Sequence, residues 1–155
     1  MFVYNSPLGP LLIEERNGFL MRLDYQKNVD LDQVKEQQIT PVLQQTILQL
    51  GEYFQGNRKI FDLPILLDGT PFQKKAWEVL QTIPFGKTIS YEEQAVQMGL
   101  KSWARAVGQA NGMNPVAIIV PCHRVIGKDG SLTGYSSGVD KKKWLLDFES
   151  KLVSK

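Results

Sequence analysis

Apolar and polar positions change their period along the chain, and each change marks an element. Leu11-Leu12-Ile13-Glu14-Glu15 and Phe19-Leu20-Met21-Arg22-Leu23 are short runs flanking Asn17-Gly18, a dipeptide that accommodates the positive φ angles of a tight hairpin turn. They predict an antiparallel hairpin. Thr40-Pro41 then supplies an N-cap followed by proline at the first helical position, and Leu43, Ile47, Leu50 and Phe54 recur at helical spacing as far as Gly56. Lys59-Ile60-Phe61-Asp62-Leu63 returns to an extended pattern. Asp68-Gly69 marks a turn, taken as the boundary between an N-terminal lobe of residues 1–69 and a C-terminal lobe of residues 70–155.

The second lobe opens on the same device, Thr70-Pro71, ahead of Phe72, Ala76, Trp77 and Leu80 on one helical stripe. Pro84-Phe85-Gly86 ends that helix. Ser90-Tyr91-Glu92-Glu93 has the form of a capping box, in which serine and glutamate satisfy backbone donors at a helix start, so a helix is expected from about Tyr91 to near Gly99. Another runs from about Ser102 to Gly112 through Ala104, Arg105, Ala106, Val107 and Ala110. Two short helices joined by a glycine-containing turn form a helix-turn-helix candidate. Ala104, Ala106, Gly108 and Ala110 leave the second helix thin enough for close approach to a ligand, with Arg105 projecting among them; tight helix packing uses the same residues. After Asn114-Pro115, the apolar run Val116-Ala117-Ile118-Ile119-Val120 reads as a strand leading into Pro121-Cys122. Gly127, Gly130, Gly134 and Gly138 give a loop around Tyr135. Asp140 is placed to cap a last helix with Trp144, Leu145 and Phe148 facing inward and Glu149 near its end. Lys141-Lys142-Lys143 reads as a solvated first turn, although cations there oppose the helix dipole. The fold class is α+β: a small α/β lobe with an antiparallel sheet, then a mainly helical lobe.

Composition narrows the setting. Charged residues make up 22% of the 155 positions and hydrophobic ones 43%, as in folded domains. No apolar run approaches the ~18 residues of a membrane span, and Met1–Pro7 lacks the basic-then-apolar pattern of an export signal. A lone thiol fits a reducing, cytoplasmic setting. The net charge of +2 divides unevenly: residues 1–70 hold six Lys/Arg against nine Asp/Glu, residues 71–155 twelve against seven. That asymmetry points to a polyanion partner for the second lobe, with a solvated basic face as the plain alternative.

The only cysteine and the only histidine adjoin, as Cys122-His123. One cysteine excludes an intrachain disulfide, and one Cys plus one His falls short of a four-ligand zinc site. The thiol is then a buried inert group or a nucleophile, and a nucleophilic thiol needs a neighbour that takes its proton. His123 is the only imidazole. The base in turn needs an orienting acceptor; Glu149 is favoured, with Asp129, Asp140 and Asp147 comparable on composition alone. Adjacent side chains on a strand face opposite ways, so Cys122 and His123 cooperate only at a bend or through a bridging water.

Pro121-Cys122-His123-Arg124-Val125, with Asn114-Pro115 before it and Gly134-Tyr135-Ser136 and Trp144-Leu145-Leu146 after it, resembles the O6-alkylguanine-DNA alkyltransferases from about Thr70 to Glu149. Ser6-Pro7-Leu8-Gly9 and the hairpin agree less specifically. The resemblance implies a ribonuclease H-like N-terminal lobe and a winged helix-turn-helix in the C-terminal one. It implies that Cys122 accepts the alkyl group, that His123 relays its proton through water, and that Glu149 orients His123. Asn114 would brace the turn before the cysteine. Tyr91 would abut the flipped nucleotide and donate toward the purine, and Arg105, between Ala104 and Ala106, would enter the duplex in place of the extruded base. Val125, Tyr135 and the Ser136 backbone would form the pocket. The implied partner is double-stranded DNA carrying O6-alkylguanine, met by a monomer without membrane, metal or cofactor.

Two positions depart from the family pattern. Trp103 stands where proline or small residues are common, and Ser137 where glycine is frequent. Rival readings are an alkyltransferase-like protein, which has tryptophan in place of the cysteine; a thiol hydrolase, which would turn over; and a helix-turn-helix regulator, for which Cys122 would be dispensable.

Overall fold

The computed structural model describes residues 1–25 and 38–153, and the chain divides into two compact units, Met1–Asp68 and Gly69–Lys155. In the first, β1 (Phe2–Ser6), β2 (Gly9–Arg16) and β3 (Phe19–Tyr25) form an antiparallel sheet in that order. Asn17 and Gly18 both take positive φ, 55° and 84°, which gives the turn the twist that matches its flanking strands. The hydrophobic pattern does not single out β1; its partner register is set by the Ser6 hydroxyl, which donates to the Gly9 carbonyl at 2.6 Å and accepts from the Leu8 amide at 3.0 Å.

Helix α1 (Pro41–Phe54) starts where the sequence places it, with the Thr40 hydroxyl accepting from the Leu43 amide at 3.2 Å. Its buried stripe is Leu43, Thr46, Gln49, Leu50 and Tyr53, so Ile47 and Phe54 lie at the margin. Polar residues share the inner face because their groups are satisfied there. Thr46 donates back to the Val42 carbonyl at 2.8 Å, and the Gln49 amide both donates to the Asp62 carbonyl (3.0 Å) and accepts from the Asp62 amide (2.9 Å). Gln49 thereby does what a strand partner would do, and Lys59–Leu63, expected to be extended and strand-like, forms no strand. An isolated bridge joins Leu20 to Ile65.

The second unit comprises α2 (Pro71–Leu80), β4 (Ile89–Ser90), α3 (Tyr91–Gln97), α4 (Ala104–Gly112), β5 (Val125–Ile126) and α5 (Val139–Val153). Helices α2 and α3 both open on reciprocal capping boxes, Thr70 with Gln73 and Ser90 with Glu93. Ala76, Ala95, Met98, Val107 and Ala110 form the core between α2, α3 and α4. A polar lock holds that core in register: Gln94 and Asn111 exchange amide hydrogen bonds at 2.9 and 2.8 Å, and the Trp77 indole donates to the Ala110 carbonyl at 2.8 Å. Satisfied buried amides specify one packing where apolar surface alone would tolerate several.

Two expectations are corrected here. Val116–Val120 is not a strand but a buried turn, with Ile118 at φ +70° and the Val120 amide donating to the Val116 carbonyl at 3.0 Å. A short apolar run reports burial without fixing the backbone state. Asp140 lies inside the first turn of α5 instead of capping it, and the buried stripe of α5 is Lys142, Leu145 and Glu149. Trp144 and Phe148 stack at its half-buried margin, 5.1 Å between ring centroids. Overall the fold is mixed α/β, with one small antiparallel sheet and five α-helices among the described residues.

Candidate active site

Cys122 begins a single 3-10 turn, Cys122–Arg124, that follows the buried turn directly. Asn114 clamps what precedes it: its amide donates to the Val120 carbonyl at 2.7 Å, and its oxygen accepts from the Val116 amide at 3.0 Å. This tight bend, not a strand end, is what carries Cys122 and His123. Beyond it, Val125 is fully buried and pairs with Ile89 in the short parallel ladder of β5 and β4.

His123 is fully buried, and its Nε2 lies 2.8 Å from Glu149 Oε2. Glu149 also accepts from Arg124 Nε (2.8 Å) and Nη2 (3.0 Å) and from the Gly86 amide (3.2 Å). Arg124 Nη1 donates to the Ile83 carbonyl at 2.7 Å, and its guanidinium sits over the Phe85 ring. Burial alone would push the Glu149 carboxyl up, but the hydrogen bonds and charges of His123 and Arg124 hold it well below the ordinary carboxylate range. His123 moves the opposite way to a simple ion pair. Burial lowers it more than the Glu149 hydrogen bond and charge raise it, and the charges of Arg124 and Lys142 lower it further. An ionised carboxylate only accepts, so the His123 proton sits on Nε2 and Nδ1 keeps a free lone pair; Nδ1 has no protein hydrogen-bond partner. The result is a neutral, rigidly oriented base.

A second cluster surrounds Tyr91. Its hydroxyl donates to the Thr133 carbonyl at 2.9 Å, and Lys142 Nζ donates to the same carbonyl at 2.8 Å and to the Tyr91 hydroxyl at 3.3 Å. Lys142 is fully buried, contrary to the expectation of a solvated lysine run. Burial lowers its ammonium to about 8, opposed by the charge that Cys122 carries when ionised. Burial raises the Tyr91 phenol, the Thr133 hydrogen bond opposes it, and Cys122 adds to the rise. Glycine matters at Gly134, where φ is +70° and an added Cβ would stand 3.2 Å from the Tyr91 hydroxyl.

Tyr91, Ala104, Arg105, Gly108, Thr133 and Gly134 line one groove of about 500 Å³. Arg105 is exposed, and Ala104 and Ala106 are half-buried. Tyr135 is buried and Ser136 exposed; neither these nor Cys122, Val125 and Asn114 are among the residues lining that groove. Ser137, the departure from glycine, is buried. The structure thus brings His123 to Glu149, and Tyr91 to Arg105 and Ala104. Of the carboxylates left open, Asp147 pairs with Lys143 and Asp129 accepts from the Ser131 amide. Arg124 and Lys142 join the site although the sequence does not single them out for it. A signal for Lys142 existed, since Lys142, Leu145 and Glu149 stand at i, i+3 and i+7 on one helix face.

The family model described as 6-O-methylguanine DNA methyltransferase, DNA binding domain, matches residues 71–151, and that of the ribonuclease-like domain matches residues 2–67. The chain belongs to the 6-O-methylguanine DNA methyltransferase family. It is 43% identical over 152 residues to the methylated-DNA–protein-cysteine methyltransferase of Methanosarcina barkeri, covering 95% of this chain and 94% of that one. It is 44% identical over 153 residues to the constitutive enzyme of Bacillus subtilis, covering 93% and 91%. The crystal structure of Mycobacterium tuberculosis OGT in complex with DNA superposes with a TM-score of 0.84 at 44% identity, over 97% of this chain and 92% of that one. Within this methyltransferase family, then, the chain has its single cysteine next in sequence to a histidine that is buried against Glu149. No helix among the described residues is long and apolar enough to cross a membrane.

Proposed function

We propose that the protein repairs DNA by direct reversal, moving the alkyl group of O6-alkylguanine irreversibly onto its own Cys122. The observation that carries this reading is the Glu149–His123 pair, buried and fixed by Arg124, adjoining the only thiol of a chain in this family. His123 Nδ1 takes the thiol proton through water, and the Cys122 sulfur attacks the alkyl carbon. The carbon–sulfur bond forms as the carbon–O6 bond breaks, and the electron pair leaves with guanine. Donors that meet this developing charge lower the barrier. Tyr91 serves as such a donor, a reading supported by Lys142, which also donates to the Thr133 carbonyl and keeps it satisfied when the phenol turns toward the purine. The acceptor is the thiolate itself, and the reaction needs neither metal nor cofactor. A thioether is not reversed by thiols as a disulfide is, which makes each molecule single-use.

A stacked base is out of reach, so the nucleotide must be extruded at a cost of a few kcal/mol. Arg105 enters the duplex from α4, with Ala104 and Ala106 allowing close approach, while Tyr135, the Ser136 backbone and Val125 wall the base pocket and Asn114 braces the bend. Residues 1–69 and 70–155 act as a ribonuclease H-like lobe and a winged helix-turn-helix lobe. The protein works as a cytoplasmic monomer on double-stranded DNA. Intact-protein mass spectrometry after incubation with O6-methylguanine duplex tests this: one added methylene per molecule, located on Cys122, is expected. Unmodified protein, or repeated release of product as in a hydrolase, would refute it.

A further inference from the structure

Trp103 is 52% exposed and has no role in the fold that accounts for it. It is the N-cap of α4, yet it makes no side-chain capping hydrogen bond, and an indole has no acceptor with which to make one. It also stands outside the core of α2, α3 and α4, touching it through Phe72 at 5.9 Å between ring centroids. Phe72 steadies the ring and leaves half of it to solvent.

Its neighbours give it a use. Trp103 and Arg105 line one shallow groove of about 300 Å³ with Ser102, Ala106 and Gln109, and Arg105 also lines the groove that holds Tyr91. Arg105 therefore stands between the two. Lys128 joins the Tyr91 groove to a further one that contains Lys101. Neighbouring grooves share lining residues: Glu92 offsets Lys128, its ion-pair partner at 3.5 Å, on the far side, whereas the groove of Trp103 has Arg105 as its one charged side chain.

We propose that Trp103 is a DNA-contacting residue, its ring lying against the deoxyribose and exposed base face of a nucleotide that stays in the duplex beside the gap Arg105 fills. This rests on the DNA-repair reading above. If the extruded nucleotide leaves on the Tyr91 side of Arg105, the groove on the other side faces what remains stacked. Aromatic rings serve there because sugar and base faces are apolar whatever the sequence, so the contact adds affinity without sequence preference.

The test titrates an undamaged mixed-sequence duplex into the wild type, W103F and W103A, following labelled-duplex anisotropy and tryptophan emission, with thermal midpoints measured alongside. Emission assigned to Trp103, the difference between wild type and W103F, should fall as duplex saturates. W103A should bind about tenfold more weakly, in the lower part of the range for aromatic stacking on nucleic acid, while W103F keeps most of the affinity. Unchanged Trp103 emission at saturation, or W103A binding as tightly as wild type, overturns the inference while leaving the repair reading standing. A wild type that does not bind duplex at low salt overturns both.

Discussion

At Glu149 and His123, pH dependence can be worked out from the direction of each shift. Folding lowers His123 from 6.5, so below that value the unfolded chain binds a proton that the folded one refuses, and stability declines as pH falls. Glu149 is also lowered, from 4.5; its contribution is present above that value and is lost at more acid pH still. Acid should therefore destabilise the protein in two stages, the first starting near pH 6.5. Urea midpoints across the acid range check this; His123→Asn should remove the first stage and, because His123 helps to hold Glu149 low, weaken the second. Glu149→Gln removes the negative charge that the buried Arg124 and His123 share, and breaking such an arrangement costs ~3–5 kcal/mol; unfolding free energy at neutral pH is the measurement. On the basic side Lys142, at about 8 when folded against 10.5, makes a contribution of the same sign as His123: the unfolded chain holds the extra proton, so stability rises as pH climbs between those values.

Among the elements, the helix starts were the most legible part of the sequence. Thr40, Thr70 and Ser90 cap α1, α2 and α3 because hydroxyl acceptors at those positions have few other uses. Asn17-Gly18 was equally plain. Val116–Val120 was not, since five apolar residues say only that the segment is buried. Asn114 is what folds it back, a local clamp by one amide that no periodicity reports. Asn114→Ala should therefore leave the Val120 carbonyl without that donor, cost about 1–3 kcal/mol, and slow alkyl transfer beyond what the stability loss explains. Comparing thermal midpoints with single-turnover rates at a temperature where the variant stays folded separates the two effects. The His123–Glu149 contact was legible only as one choice among several carboxylates, because residues 26 apart meet through tertiary packing that spacing does not encode.

For the whole molecule, the division of charge is the feature that composition averages away. The second half carries twelve Lys/Arg against seven Asp/Glu, and counterion release makes affinity for duplex fall steeply with added salt. Binding isotherms at several salt concentrations should give a clear negative slope of log K on log salt; a flat response would remove the electrostatic argument. Arg105→Ala should slow repair of duplex far more than reaction with free O6-benzylguanine, because only the duplex demands extrusion. Equal losses on both substrates would place Arg105 outside that step.

The buried ammonium of Lys142 leads to a different kind of consequence. When His123 has taken the Cys122 proton, the negative charge on sulfur helps Lys142 hold its own proton against the pull of burial, and a thioether carries no such charge. Once the sulfur is alkylated, Lys142 gives up its proton more readily, and the Tyr91 phenol loses an influence that raised it. A spent molecule is thus marked twice, by the carbon it has gained and by a changed appetite for protons some distance from it.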